Sequence, residues 1–315
     1  MSVYTSVTAD QLKVFLNNYH IGDLKAFRGI AEGVENTNYR VTSTAGEYIL
    51  TLFEHFTHEQ IPYYLSLLTH LHKDGVPCPR AIVMENGTQL GTINNRPAVL
   101  FTFLQGKSAL YPNLIELEAL GRVMAQMHLS LEKFDNFNDH KQPHQTAIES
   151  LKPFLKSLHP DEARLYQNEL KHQQGIPSEH LPMGLIHGDL FKDNCLIDNG
   201  DISGVLDFYS ASIEAYIFDI AIAASDWCRD EENKLNKNKM NILLKGYQST
   251  RKLEDIELAL WPKMLRLAAF RFWCSRLVDQ FQPRDSELNV KKDPADYKHL
   301  LLFLRDNAHF LQIQE

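Results

Sequence analysis

Cysteine is scarce: Cys78, Cys195, Cys228 and Cys274 are the only four in 315 residues, and no two form a C-x-x-C pair. That leaves little for a disulfide scaffold or a zinc site, and buried free thiols in a reduced setting are the simplest expectation. Long hydrophobic runs are missing as well, since none approaches the roughly 20 residues a membrane span needs. The opening stretch, MSVYTSVTADQLKVFL, lacks the basic-then-apolar order of a secretory signal, so a cytoplasmic location without a membrane partner is expected. Positive charge is not in excess. Against 40 Asp and Glu stand 32 Lys and Arg, giving −8 and a pI near 6.0. A nucleic-acid partner, which needs a basic face, is disfavoured. Fourteen histidines include no H-E-x-x-H pattern. His70 and His72, two apart, would point away from each other on a helix. The chain also lacks an internal repeat, a Walker A loop and a full G-x-G-x-x-G. What remains is an ordinary globular composition, 44% hydrophobic and 23% charged, long enough for one large domain or two lobes.

Hydrophobic patterning divides the chain near Gly106. Residues 8–20 read as a short helix opened by Thr8 or Asp10, with Leu12, Phe15 and Leu16 on one face. Three strands follow in LKAFRGI, TNYRVTST and GEYILTLFE, rich in β-branched and aromatic residues and bounded by turn formers. A helix is expected over 57–74, capped by Thr57 and carrying Leu65, Leu68 and Leu71 at helical spacing. Two more strands are expected in VPCPRAIVM and RPAVLFTFLQG. Beyond them the pattern turns helical. Residues 113–133 set Leu117, Leu120, Met124, Met127 and Leu131 on one stripe, helical pattern covers 145–172, and helices resume from 216. Residues 229–240 and 282–294 read as polar connectors. The expected class is α+β: a small antiparallel sheet with one inserted helix over 1–105, and a larger, mainly helical part over 106–315.

The segment LIHGDLFKDNCLIDNGDISGVLDFYS, 185–210, carries the chemistry. Asp189 and Asn194, five apart in a tight loop, can face one site, and Asp207, ending the next apolar run, can return to it. A carboxylate beside a substrate hydroxyl orients it and accepts its proton. An amide oxygen and a second carboxylate suit Mg²⁺, which takes one or two protein ligands and completes its shell with water and phosphate oxygens. This is the minimum equipment for phosphoryl transfer from ATP, so Asp189 is the catalytic candidate and Asn194 and Asp207 the metal candidates. His187 is expected to brace the loop by hydrogen bonds, and Asp219 likewise. Upstream, GIAEGVENTNYRV offers Gly33, Asn36, Thr37 and Asn38 to phosphate oxygens through closely approaching backbone N–H groups and side-chain donors.

HGDLFKDN at 187–194, with this layout, resembles the aminoglycoside-phosphotransferase and choline-kinase superfamily, which shares the two-lobed protein-kinase fold. Protein kinases place Lys two residues after the catalytic Asp; Phe191 stands there, with Lys192 one step later, which favours the small-molecule branch. ENTNY at 35–39, YILTLFE at 48–54, DFY at 207–209 and FRFWCSRL at 270–277 narrow the resemblance to bacterial homoserine kinases, over nearly the whole chain. The resemblance implies ATP and Mg²⁺ as cofactors and L-homoserine as the acceptor, phosphorylated on its side-chain hydroxyl toward threonine. It assigns adenine to the Thr102 carbonyl and the Leu104 N–H. It also places Thr51 where relatives of this fold hold the phosphates with a third-strand Lys, a departure that moves the phosphate charge onto Mg²⁺, loop amides or another cation. Homoserine carries an ammonium and a carboxylate. For these Tyr209, Asp226, Trp227, Arg271 and Arg276 are candidates, with only one of the two arginines, five apart, able to face the pocket. The alternatives are another small-alcohol kinase, acting on choline, methylthioribose or an aminoglycoside, and a non-catalytic nucleotide-binding pseudokinase.

Overall fold

The computed structural model describes residues 5–30, 36–135, 143–282 and 292–307. It separates between Gln105 and Gly106 into two compact units.

In the first unit, α1 (Ala9–Leu16) precedes strands β1 (Leu24–Gly29), β2 (Thr37–Ser43) and β3 (Glu47–Leu52). The helix α2 (Ile61–Lys73) follows, and β4 (Gly91–Ile93) and β5 (Arg96–Thr102) complete an antiparallel sheet of order β1-β2-β3-β5-β4. Thr8 and Gln11 cap α1 reciprocally, each side chain accepting from the other's backbone N–H. The strict alternation of β2 sends Thr37, Tyr39, Val41 and Ser43 inward and turns Asn38 and Arg40 to the opposite face. Tyr39, Val41, Leu50 and Leu52 meet Leu12, Phe15 and Leu16 of α1 in one buried cluster.

Two expectations change here. The helix expected from Thr57 starts at Ile61, because Thr57 to Gln60 close a separate turn through Gln60 N–H and the Thr57 carbonyl, 3.2 Å. The fourth strand is Gly91–Ile93, and VPCPRAIVM contributes only the isolated bridge of Ala81 to Phe101. Pro77 and Pro79 lack the N–H a longer ladder would need.

The second unit is mainly helical: α3 (Leu114–Leu131), α4 (Pro143–Ser150), α5 (Pro160–Gln173), α6 (Tyr216–Trp227), α7 (Lys237–Gln248), α8 (Asp255–Phe281) and α9 (Pro294–Asp306). The pattern read over 145–172 is broken into α4, a 3₁₀ turn and α5 where Pro153 and Pro160 interrupt it. The polar connector read over 229–240 ends at α7, and the one over 282–294 lies mostly outside the described residues. All five stripe residues of α3 are fully buried. In α6 every residue from Tyr216 to Ser225 is buried, the mark of a helix packed on all sides. Two short antiparallel pairs complete the unit: β6 (Met183–Ile186) with β9 (Ser212–Ala215), and β7 (Cys195–Asp198) with β8 (Asp201–Val205). The hairpin of the candidate segment is therefore β7–β8, while the strand before the loop, β6, pairs with β9.

Candidate active site

Strand β6 delivers the chain into His187, Gly188 and Asp189. Gly188 has φ +75°, and a β-carbon there would meet the Ser210 carbonyl oxygen at 2.6 Å, so only glycine fits this turn. Its backbone is fixed by a carboxylate from the first turn of α6. Asp219 Oδ1 accepts from Gly188 N–H at 2.8 Å and Oδ2 from His187 N–H at 3.1 Å. The His187 ring, fully buried, accepts from Asp189 N–H on Nδ1 (3.2 Å) and so donates through Nε2 to the Leu206 carbonyl (2.7 Å). Burial pushes the His187 pKa down, which keeps the ring in this neutral, donor-and-acceptor state. Both residues brace the loop.

The three residues singled out for chemistry are brought together by this frame. Asn194 Nδ2 donates to the Asp189 carbonyl (2.7 Å) and reaches Asp189 Oδ2 (3.3 Å). Both partners are acceptors, so the amide nitrogen faces them and Oδ1 faces away. Leu206 N–H donates to the Asn194 carbonyl at 2.9 Å, and the next residue is Asp207. Asp207 is exposed and left-handed, φ +59° and ψ +54°, a conformation Asp tolerates better than most side chains. Among the described residues no three His, Cys, Asp or Glu side chains cluster as a metal cage. An amide oxygen and one carboxylate, on backbone segments joined by the bond from Leu206 to Asn194, are the donor types Mg²⁺ takes from a protein when phosphate supplies further oxygens.

The acceptor candidates divide. Arg271 is buried on α8 and donates through Nη1 to the Gly188 carbonyl at 2.6 Å. Arg276, on another face of the same helix, bonds the Asp293 carbonyl (3.0 Å) and Asp296 (2.9 Å) and lies over the Tyr297 ring. Asp226 accepts from the Lys192 backbone N–H (2.8 Å) and pairs with its ammonium (3.6 Å). Trp227 has no exposure, and its indole N–H donates to the Leu190 carbonyl at 3.1 Å. Asp226 and Trp227 thus anchor the loop from α6. Tyr209 is half-buried in the 3₁₀ turn just after Asp207.

In the first unit Gly33 lies outside the described residues. Thr37 is fully buried and donates to Glu54 at 2.6 Å, and Asn36 Oδ1 accepts from Glu54 N–H at 3.2 Å. Glu54 is paired in turn with Arg96, 3.2 Å. Asn38 and Thr51, opposite each other on β2 and β3, share a 2.7 Å hydrogen bond from Thr51 Oγ1 to Asn38 Oδ1. Their face also carries Arg28 and Arg40 as cross-strand neighbours. Arg40 is bidentate to Glu47 (2.9 and 2.6 Å) and 4.2 Å from the Phe103 ring centre. Thr102 takes the Arg80 N–H on its hydroxyl (3.1 Å) and gives its own N–H to the Arg80 carbonyl (2.9 Å), and Leu104 follows the end of β5.

Sequence reasoning missed the partner behind Asp219. His128 of α3 has no exposure; its Nε2 lies 2.9 Å from Asp219 Oδ2 and its Nδ1 2.8 Å from the Tyr247 hydroxyl. Burial alone would raise the Asp219 pKa. The hydrogen bonds from His128 and from the Gly188 N–H oppose it, and the carboxyl is held below its usual range. The available signal was a histidine directly after Met127, at the edge of an otherwise apolar stripe. A polar group that deep must have a partner.

The pattern of the phosphotransferase enzyme family (APH) matches residues 26–253. The chain is 38% identical to a homoserine kinase of Methylobacillus flagellatus, over 96% of this chain and 94% of that one. It is 36% identical to a homoserine kinase of Neisseria meningitidis serogroup B, over 96% of this chain and all of that one. Among solved structures, a spectinomycin phosphotransferase superposes with a TM-score of 0.69 at 13% identity, covering 98% of this chain and 100% of that chain. An amicoumacin kinase gives 0.68 at 20% identity, covering 94% and 91%. At these identities the structures establish the fold, α+β and kinase-like. By its matched pattern and its full-length relatives, the chain belongs to the phosphotransferase enzyme family, among the homoserine kinases.

Proposed function

We propose that this chain transfers the γ-phosphoryl group of ATP to the side-chain hydroxyl of L-homoserine, giving ADP and O-phospho-L-homoserine on the way to threonine. The observation that carries the reading is the full-length likeness to homoserine kinases of several bacteria. The Asp189, Asn194 and Asp207 frame supplies the chemistry. Asp189 accepts the hydroxyl proton as the substrate oxygen forms its bond to the γ-phosphorus and the bond to the ADP oxygen breaks. Such a base contributes about 10²–10⁴-fold. Asn194 Oδ1 and the Asp207 carboxylate would hold Mg²⁺, which when bound neutralises charge on the transferring phosphates. For the nucleotide we assign Asn38 and Thr51, the backbone of Gly33, Asn36 and Thr37, and the Thr102 carbonyl and Leu104 N–H for adenine. Asp226, Trp227 and Arg276 are engaged with Lys192, Leu190 and Asp296; for the acceptor we assign Tyr209, which sits in the turn directly after Asp207. Four buried free cysteines suit a reduced, cytoplasmic setting.

The test is a coupled ADP-release assay over L-homoserine, choline, methylthioribose and kanamycin. Homoserine is expected to give the highest kcat/KM, by about 10²-fold or more, as expected where buried polar groups read the ligand. Faster turnover of choline or kanamycin overturns the substrate, and ATP binding without turnover of any acceptor overturns the activity.

A further inference from the structure

We infer that Arg271 is a positioning residue for phosphoryl transfer, fixing the Gly188 carbonyl and thereby the Asp189 carboxylate, rather than the group that binds the acceptor's carboxylate. The peptide unit joining Gly188 to Asp189 is gripped at both ends. Arg271 Nη1 holds its oxygen at 2.6 Å, and His187 Nδ1 holds its N–H at 3.2 Å. The preceding peptide is held by Asp219 on Gly188 N–H, and Asp189's own carbonyl by Phe191 N–H at 2.9 Å. With these four bonds in place, the loop leaves Asp189 only its side-chain torsions. Take away Arg271 and this peptide, next to a glycine with φ +75°, keeps only the 3.2 Å hold of His187 on its N–H.

Charge argues the same way. Arg271 is only 6% exposed, and a buried guanidinium persists only where anions match it. Asp189, Glu214 and Asp219 supply that match, raising its affinity for the proton against the lowering effect of burial. Glu214 and Asp219 are themselves buried. One cation already answered by three carboxylates is poorly placed to attract a fourth from an amino acid. The Phe272 ring, 4.6 Å from the guanidinium carbon, holds its plane. Arg276, tied to Asp296, does not share the task.

The experiment compares the full-length wild type with Arg271→Lys and Arg271→Met, using Mg·ATP and two acceptors: L-homoserine, and 3-amino-1-propanol, which keeps the ammonium and hydroxyl but has no carboxylate. It rests on the homoserine reading, so amide hydrogen exchange over residues 188–190 is measured in parallel without acceptor. A positioning role lowers kcat by about 10²-fold, the cost of roughly 1 Å of misplacement, and equally for both acceptors. KM for homoserine then stays within about threefold. Lys restores part of kcat, and exchange at 188–190 accelerates in both variants. A rise in KM for homoserine with kcat preserved, and unchanged kinetics with 3-amino-1-propanol, overturns the inference in favour of substrate binding. Unchanged exchange overturns it too. Should Arg271→Met fail to fold, Arg271→Lys carries both readouts. Failure of the homoserine reading shows separately, as absent wild-type turnover of homoserine while exchange at 188–190 still accelerates in both variants.

Discussion

Asp189 works from a peptide whose neighbours are all hydrogen-bonded, so its chemistry can be tested apart from its structure. Asp189→Asn keeps the size and the Asn194 contact but loses the base, and kcat should fall by about 10²–10⁴-fold with an unchanged melting temperature. A wild-type rate in that variant would remove Asp189 from the mechanism. Asp207→Asn tolerates the left-handed backbone while losing the charge. We expect the Mg²⁺ concentration for half-maximal rate to rise by at least about tenfold, the lower end of what loss of even an outer-sphere partner costs. His187 gives a pH prediction. Its folded pKa is depressed by burial, whereas an unfolded histidine titrates near about 6.5. Below that value the unfolded chain takes up a proton the folded one refuses, so stability is present at neutral pH and declines as pH falls, by up to about 1.4 kcal/mol per unit. Urea midpoints between pH 7.5 and 5.5 should fall less steeply in His187→Gln. The candidates Asp189, Asn194 and Asp207 could be singled out because loop chemistry is local: two carboxylates and an amide lie within 19 positions. Arg271's partner could not, since 83 residues separate it from Gly188 and no spacing rule links them.

Helices α3 and α7 meet backbone to backbone. A β-carbon on Gly121 would come within 2.2 Å of the Leu243 carbonyl oxygen, and one on Gly246 within 2.2 Å of the Glu118 carbonyl oxygen. Neither neighbour is a side chain that can swing away, so the helices must part. Gly121→Ala is expected to cost about 1–3 kcal/mol or more, read as a lower urea midpoint. Because Tyr247 on α7 holds His128 on α3, it should also lower kcat. An unaltered rate in the folded variant would uncouple this contact from the loop. Periodicity disclosed α3 and its buried stripe, but not this contact, because a glycine on a helix surface has no sequence mark of what will lie against it. At the other extreme, VPCPRAIVM had the hydrophobicity of a strand, and its prolines outweighed it.

Over the whole molecule, the transition near Gly106 from short strands to long amphipathic helices was readable from composition and period. Pairing partners such as β6 with β9 were not, being fixed by the closing of the loop between them. Each unit has its own buried core, and the four cysteines are distributed across both. Cys78 belongs to the first; Cys195, Cys228 and Cys274 belong to the second. Burial pushes the Cys78 thiol up to about 12 and raises the other three as well, so almost no thiolate is present at neutral pH. The native enzyme should therefore ignore maleimides and disulfide reagents. Any labelling then records an opening event, and mass spectrometry of the labelled peptides dates it: alkylation at Cys78 reports the sheet unit, alkylation at the other three the helical one. With no engineering at all, the chain carries a clock for the unfolding of each half.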